Sequence, residues 1–151
     1  MAHDISLNIY GNGSKEPTLR QILNDMDGIQ INLCSMVDKP TLKQIYADSD
    51  ALLLHLDDQM VFETVIPSKL FEYAASNKPI ICGVRGWLRQ FIENNLDGCF
   101  CFDPCDFNQF MKAVDRAKQS PTGFEREKFK REYNENEIIC RFSDQLKNLA
   151  K

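Results

Sequence analysis

The chain has 151 residues, enough for about one domain with a real core and no staples. Its net charge is −4 with no basic run, which argues against a general nucleic-acid surface, because such a surface needs clustered Lys and Arg. No apolar stretch approaches a membrane span, Met1-Ala2-His3-Asp4 is not a signal peptide, and the cysteines at 34, 82, 99, 101, 105 and 140 sit mostly in apolar segments, so a cytoplasmic setting with reduced thiols is expected.

Residues 5–10 alternate apolar and polar side chains and read as a half-buried strand. The strand ends in Gly11-Asn12-Gly13-Ser14, where glycines allow positive φ and close approach of a ligand to the backbone. Residues 17–26 follow as a helix with Leu19, Ile22, Leu23 and Met26 on one face. This strand, glycine turn and helix resemble a phosphate-binding unit without the full dinucleotide fingerprint, and an ordinary tight turn reads equally well. Asp27-Gly28 is a turn, residues 29–33 a second alternating strand and 34–40 a loop. Thr41 then caps a helix of about two turns that carries Leu42, Ile45 and Tyr46. Residues 51–56 are almost continuously apolar, the pattern of a strand buried on both faces of a parallel sheet, and 57–65 form an acidic loop.

The stretch 66–79 organises the rest. Pro67 suits a first helical position, with its fixed φ and missing N–H. At about 100° per residue, Ser68, Lys69 and Glu72 share one arc of the helix, and Leu70, Phe71, Ala74 and Ala75 share the opposite one. The apolar arc can pack on a sheet. The polar arc offers free N–H groups, a hydroxyl and an ammonium, which suit a phosphate, and a carboxylate one turn on that can accept from paired ribose hydroxyls. The same helix also reads as a surface helix with an ordinary charged face. Beyond it lie a buried strand at 79–84, a helix at 87–95, a turn at 96–98 and a short strand at 99–102. A helix follows with Phe107, Phe110, Met111, Val114 and Ala117 on one face. One or two charged helices come after Gly123, with Phe129, Tyr133, Ile138, Ile139, Phe142, Leu146 and Leu149 as contacts.

Strands alternating with helices specify an α/β domain, Rossmann-like, with a mainly parallel sheet flanked by helices. Ligands in such sheets lie beyond the carboxyl ends of the strands. The loops at Gly11, 34–40, 57–66 and Gly83–Gly86 all follow strands and are expected on one edge with the start of the organising helix. His55, Asp57, Asp58, Glu63, Arg85, Arg89 and Trp87 lie nearby in this scheme and read as structural or solvated groups as readily as functional ones. The spacing of Cys99, Cys101 and Cys105 fits no common zinc pattern.

The ordered set Ile9-Tyr10-Gly11-Asn12-Gly13, Ile31-Asn32-Leu33, Ile45-Tyr46-Ala47-Asp48-Ser49-Asp50-Ala51-Leu52-Leu53-Leu54, Pro67-Ser68-Lys69-Leu70-Phe71-Glu72-Tyr73-Ala74-Ala75 and Lys78-Pro79-Ile80-Ile81 resembles the C-terminal, nucleotide-sugar-binding domain of GT-B glycosyltransferases of the group 1 or family 4 type. The resemblance covers about residues 5–117 and implies one half of a GT-B fold. It makes 1–151 a single nucleotide-sugar-binding domain and a C-terminal fragment of a longer two-domain enzyme. It implies transfer of a sugar, of hexosyl type and with retention, from a nucleoside diphosphate sugar to an acceptor hydroxyl, in bacterial polysaccharide or glycoconjugate synthesis.

By the same resemblance, Glu72 holds the ribose hydroxyls, and Pro67, Ser68 and Lys69 face the diphosphate. Met36 and Val37 border the base, and Gly11, Asn12 and Gly13 leave room for the nucleotide. Lys69 and Glu72 are the catalytic candidates. No Asp-x-Asp metal site is evident, so neither metal nor cofactor is expected beyond the donor substrate. The partners implied are the donor, a missing N-terminal acceptor domain and, for the full-length protein, the inner face of a membrane. Isolated, the fragment is expected to be inactive.

Three departures accompany the match. Many relatives carry two glutamates separated by seven residues, but the position before Glu72 is Thr64, with Glu63 one place off. The N-terminal domain is missing. So is the strand–helix unit that opens the C-terminal domain, central in the order 3-2-1-4-5-6, so a rearranged sheet, another strand order or a homodimer is expected. The alternatives are half of a GT-B sugar-nucleotide epimerase, or a noncatalytic α/β nucleotide-binding or regulatory module. A receiver version of the latter fits poorly, because the first strand runs into glycine and the third ends at His55.

Overall fold

The computed structural model describes residues 5–24, 30–121 and 123–149. Expectations for Met1 to Asp4, Met26, Asp27, Gly28 and Ile29 lie outside the described residues. The elements are β1 (Ser6–Tyr10), α1 (Glu16–Asn24), β2 (Gln30–Cys34), α2 (Lys39–Asp48), β3 (Leu52–His55), a 3-10 turn (Met60–Glu63), α3 (Ser68–Ala75), β4 (Ile80–Gly83), α4 (Gly86–Asn95), β5 (Cys99–Phe102), α5 (Phe107–Gln119), α6 (Glu127–Glu132) and α7 (Glu135–Leu149). Every strand pairing is parallel, and helices separate successive strands, as expected of an α/β chain.

The strands form two sheets instead of one. One holds β1-β2 and the other β3-β4-β5, and the chain divides into two compact units, Met1–Gln44 and Ile45–Lys151. A rearranged strand pairing is therefore what the described residues show, in place of a single sheet in the order 3-2-1-4-5-6. The physical reason is that a strand can propagate a parallel ladder only through a hydrogen-bonded neighbour. Among the described residues, no further strand pairs with either sheet.

In the first unit, Leu7, Ile9, Ile31 and Leu33 fall on one face of the β1-β2 pair by period and register, and Ser6, Asn8 and Asn32 on the other. The Asn32 amide donates to Asn8 Oδ1 (2.8 Å) and to Ser6 Oγ (3.3 Å), a cross-strand polar ladder. Gly11 N–H donates to Cys34 O (3.1 Å), which carries the pairing one residue past β1.

In the second unit, β4 is central and all four of its residues are buried, whereas β3, on the edge, buries Leu52 and Leu54 but leaves Leu53 half-buried and His55 exposed. The expectation of full burial therefore holds for β4 and not for β3, because an edge strand lacks a neighbour on one side. Ile80, Cys82 and Cys101 face a core shared with Leu70 and Ala74 of α3, Leu88 and Ile92 of α4, and Phe129 of α6. The α5 helix packs on β4 and β5, where Phe102 meets Phe110 (ring centroids 5.5 Å) and Arg116 lies over Phe100 (5.4 Å). Its buried residues are Ala113, Val114 and Ala117; Phe107, expected on this face, is exposed because it stands in the first turn.

The starts of α2 and α5 are set by short carboxylates. Asp38 Oδ1 accepts from Thr41 N–H (3.0 Å), so Asp38 caps α2 and the expected cap, Thr41, lies inside the helix. Asp106 caps α5 in the same way, through Gln109 N–H (2.9 Å). Pro67 precedes α3 as its cap residue, with φ −72° and ψ 139°, one place before the expected first helical position. Both charged helices after Gly123 form. Phe129 is buried and Tyr133 half-buried, but Ile138, Ile139, Phe142, Leu146 and Leu149, expected as contacts, are exposed along α7.

Arg126 is a buried cation that the sequence reading did not anticipate. Its Nε donates to Asp97 O (2.8 Å) and its Nη2 to Lys78 O (2.9 Å) and Gly98 O (3.4 Å), so one side chain ties the chain before α6 to the segments that enter β4 and β5. Replacing it with Ala removes the donor to Lys78 O and Asp97 O, whereas Gly98 O keeps the Ile80 N–H (2.9 Å). An equilibrium denaturation series is expected to show Arg126→Ala destabilised by about 2–4 kcal/mol, and Arg126→Lys, which cannot span the three carbonyls, by a smaller amount. A change below about 0.5 kcal/mol, the range of an ordinary surface substitution, would remove the clamp from this account.

Candidate functional site

In the first unit, the loop after β1 borders an open concavity of about 530 Å³ lined by Ile9, Tyr10, Leu19, Ile22, Leu33 and the glycine loop itself. Gly11 has φ 153°, a conformation that glycine adopts without strain, as the sequence reading anticipated. A Cβ added at Gly11 or Gly13 would meet nothing within 4 Å, so the backbone there faces open space. Asn12 is exposed, as is Met36, while Val37 is half-buried in the segment between β2 and α2.

In the second unit, the residues of interest gather at α3. Leu70 and Ala74 bury one side of this helix completely, which turns Ser68, Lys69 and Glu72 to the exposed side. No side chain caps the first turn; Leu70 N–H donates to Pro67 O (3.0 Å), and the positive end of the helix dipole lies at Ser68 and Lys69. Lys69 Nζ lies 2.7 Å from Glu72 Oε2. The Tyr46 hydroxyl donates to the same oxygen at 3.3 Å and accepts from Lys69 Nζ at 3.3 Å. The Tyr46 ring stands edge-on to Tyr73, with centroids 5.3 Å apart and planes at 86°. The structure therefore brings Lys69 and Glu72 together, and it adds Tyr46, to which the sequence reading gave only a helix position.

The electrostatics follow from these contacts. The hydrogen bond to Glu72 raises Lys69 above the ordinary lysine range; partial burial opposes it and Tyr46 reinforces it. Burial pushes the Tyr46 hydroxyl up, with the Lys69 hydrogen bond pulling the other way. Both partners of the ion pair are nearly half exposed, at 46% and 47%, so the pair is worth about 0–1 kcal/mol and exchanges readily for a stronger anion.

The remaining candidates are engaged locally. His55 Nε2 accepts from Cys105 N–H (3.4 Å) and its ring lies 5.8 Å from that of Phe102. Gly83 makes this closure possible, since a Cβ there would come within 2.5 Å of His55 and 2.8 Å of Phe102. Asp57 accepts from Asp58 N–H and from the Gln59 amide, Arg85 pairs with Asp58, and Arg89 pairs with Glu93 and Asp103, each at 2.9 Å. Glu63 packs against Gly86, where its carboxylate meets the positive end of α4. Trp87 stacks on Phe91 at 5.3 Å. Cys82 and Cys101 are buried, Cys99 is half-buried and Cys105 exposed, all as free thiols.

The pattern of the family described as glycosyl transferases group 1 matches residues 1–119. The chain belongs to the group 1 glycosyltransferases. This group 1 match runs from the first compact unit into the second and takes in every position named in the resemblance, and the parallel α/β architecture fits half of a GT-B fold. Comparison with curated proteins and with solved structures returned no match. Among the described residues, no helix of this glycosyltransferase domain is long and apolar enough to cross a membrane.

The Lys69–Glu72 contact has a titration signature. A raised lysine is stabilising below its unfolded pKa, about 10.4, and that contribution is lost as pH rises through the folded value. Following the Lys69 side-chain methylene by NMR is expected to give an apparent pKa above the free-lysine value in the wild type and a lower one in Glu72→Gln. Identical curves would show the pair to be open in solution.

Proposed function

We propose that this domain is the donor-binding half of its glycosyltransferase, holding a nucleoside diphosphate sugar with the ribose at Glu72 and the diphosphate at the head of α3. The observation that carries the reading is the Lys69–Glu72 pair on the exposed side of α3, beside an uncapped helix start. An ammonium and free N–H groups suit the diphosphate, and a carboxylate one turn on suits vicinal hydroxyls. Within the second unit, Pro67 and Ser68 flank the phosphates.

In this reading Lys69 exchanges Glu72 for a phosphate oxygen when the donor binds. The reaction breaks the bond between the anomeric carbon and the diphosphate and joins that carbon to an acceptor hydroxyl. Negative charge grows on the departing diphosphate, and Lys69 with the α3 N–H groups stabilises it without reorganisation. Hexosyl transfer with retention, no required metal, and a role in polysaccharide or glycoconjugate synthesis complete the proposal.

Titration of the chain with UDP, GDP and ADP tests this. One diphosphate is expected to bind selectively. Lys69→Ala is expected to weaken it about tenfold, the scale of one charge-assisted contact, and Glu72→Ala to weaken it by a similar amount while the fold persists. Equal and unaltered binding of all three by folded wild type and variants would contradict the proposed site.

A further inference from the structure

We infer that Tyr46 is a positioning residue of the donor site, holding the Glu72 carboxylate in register for the ribose when Lys69 leaves it for the diphosphate; this rests on the function proposed above. Three observations carry the inference. Both groups that touch Glu72 touch the same oxygen, Oε2, at 2.7 Å from Lys69 and 3.3 Å from Tyr46, so Oε1 has no protein partner among the described residues and is the oxygen left for a ligand. A carboxylate held at one oxygen presents the other in a fixed direction, which a freely rotating surface glutamate does not. The two holding groups also differ in their future. Lys69 is a flexible point charge that a diphosphate draws away, whereas the Tyr46 ring is held edge-on against Tyr73. With Lys69 on the phosphate, Tyr46 is the side chain still donating to Oε2.

The arrangement also explains why Tyr46 touches both members of the pair. Its oxygen accepts from Lys69 Nζ while its proton goes to Glu72, so the hydroxyl bridges the closed pair and keeps one partner when the pair opens. Phenylalanine at this position keeps the ring contact with Tyr73 and removes only the bridge.

The test separates positioning from general support of the fold. For whichever of UDP, GDP and ADP binds best, the ratio of its Kd to that of its 2′,3′-dideoxy counterpart measures what Glu72 contributes to ribose recognition. Wild type is expected to prefer the ribose form by about tenfold, Glu72→Gln to lose that preference, and Tyr46→Phe to lose about three- to tenfold of it, with affinity for the dideoxy form unchanged. The double variant is expected to discriminate no worse than Glu72→Gln alone, because the two residues act through one carboxylate. Loss of affinity for both ligands in equal measure, or full retention of ribose preference in Tyr46→Phe, overturns the positioning role and leaves the donor reading standing. Absence of ribose preference in the folded wild type overturns the donor reading, and this inference with it.

Discussion

The second unit depends on a one-residue offset in a short helix. Leu70 and Ala74 are one turn apart and sink completely into the core beside β4, and each fully buried aliphatic of leucine size contributes about 1.5–3 kcal/mol. Lys69 and Glu72 flank Leu70 in sequence, so the burial that fixes α3 also fixes where its charges point. Neither charge needs to be strongly held by its neighbour, since the core holds the backbone that carries both. That is why a weak, half-exposed ion pair can still be a well-placed one.

Support for α3 comes from aromatic packing on its core side. Phe71 stacks on Phe129 at 5.8 Å, and Tyr133 meets Phe129 at 4.5 Å and Phe91 at 5.9 Å, which links α3, α4 and α6 through a single layer of rings. Arg126 fastens the segment leading into α6, donating to carbonyls just before β4 and β5. The opposite ends of these strands carry His55, Gly83 and Phe102, so the clamp and the closure over Gly83 occupy opposite edges of the sheet. Rigid strands between them keep the α3 start where a ligand bound beyond the strand ends can use it.

Much of this was legible in the sequence because periodicity and burial speak directly. The apolar run at 79–84 announced a buried strand and the 3.6-residue period at 67–75 a two-faced helix, whereas the alternation at 5–10 announced a strand but not its exposure, since only Leu7 of β1 is half-buried. Edge position is not written in composition, so the run at 51–56 looked as buried as 79–84, and β3 proved otherwise. Asp38 and Thr41 are both good caps, and only backbone geometry decides between them. Tyr46 and Arg126 escaped because their meaning lies in partners far along the chain, at Glu72 and at Lys78, Asp97 and Gly98. An aromatic on a helix and an arginine among charged residues carry no local sign of such contacts. Along α7 the helix was anticipated, but apolar side chains alone cannot say whether they are covered, and Ile138, Ile139, Phe142, Leu146 and Leu149 are exposed.

The central claim is that the start of α3 receives the phosphates of a nucleoside diphosphate. The most direct measurement is amide proton and nitrogen chemical-shift mapping of the labelled chain as the best-binding nucleoside diphosphate is added. The account predicts the largest changes at the Ser68, Lys69 and Leu70 amides, with smaller ones at Glu72. Unmoved α3 amides at saturation, with the changes gathered instead at the start of α4 or another helix, would contradict it.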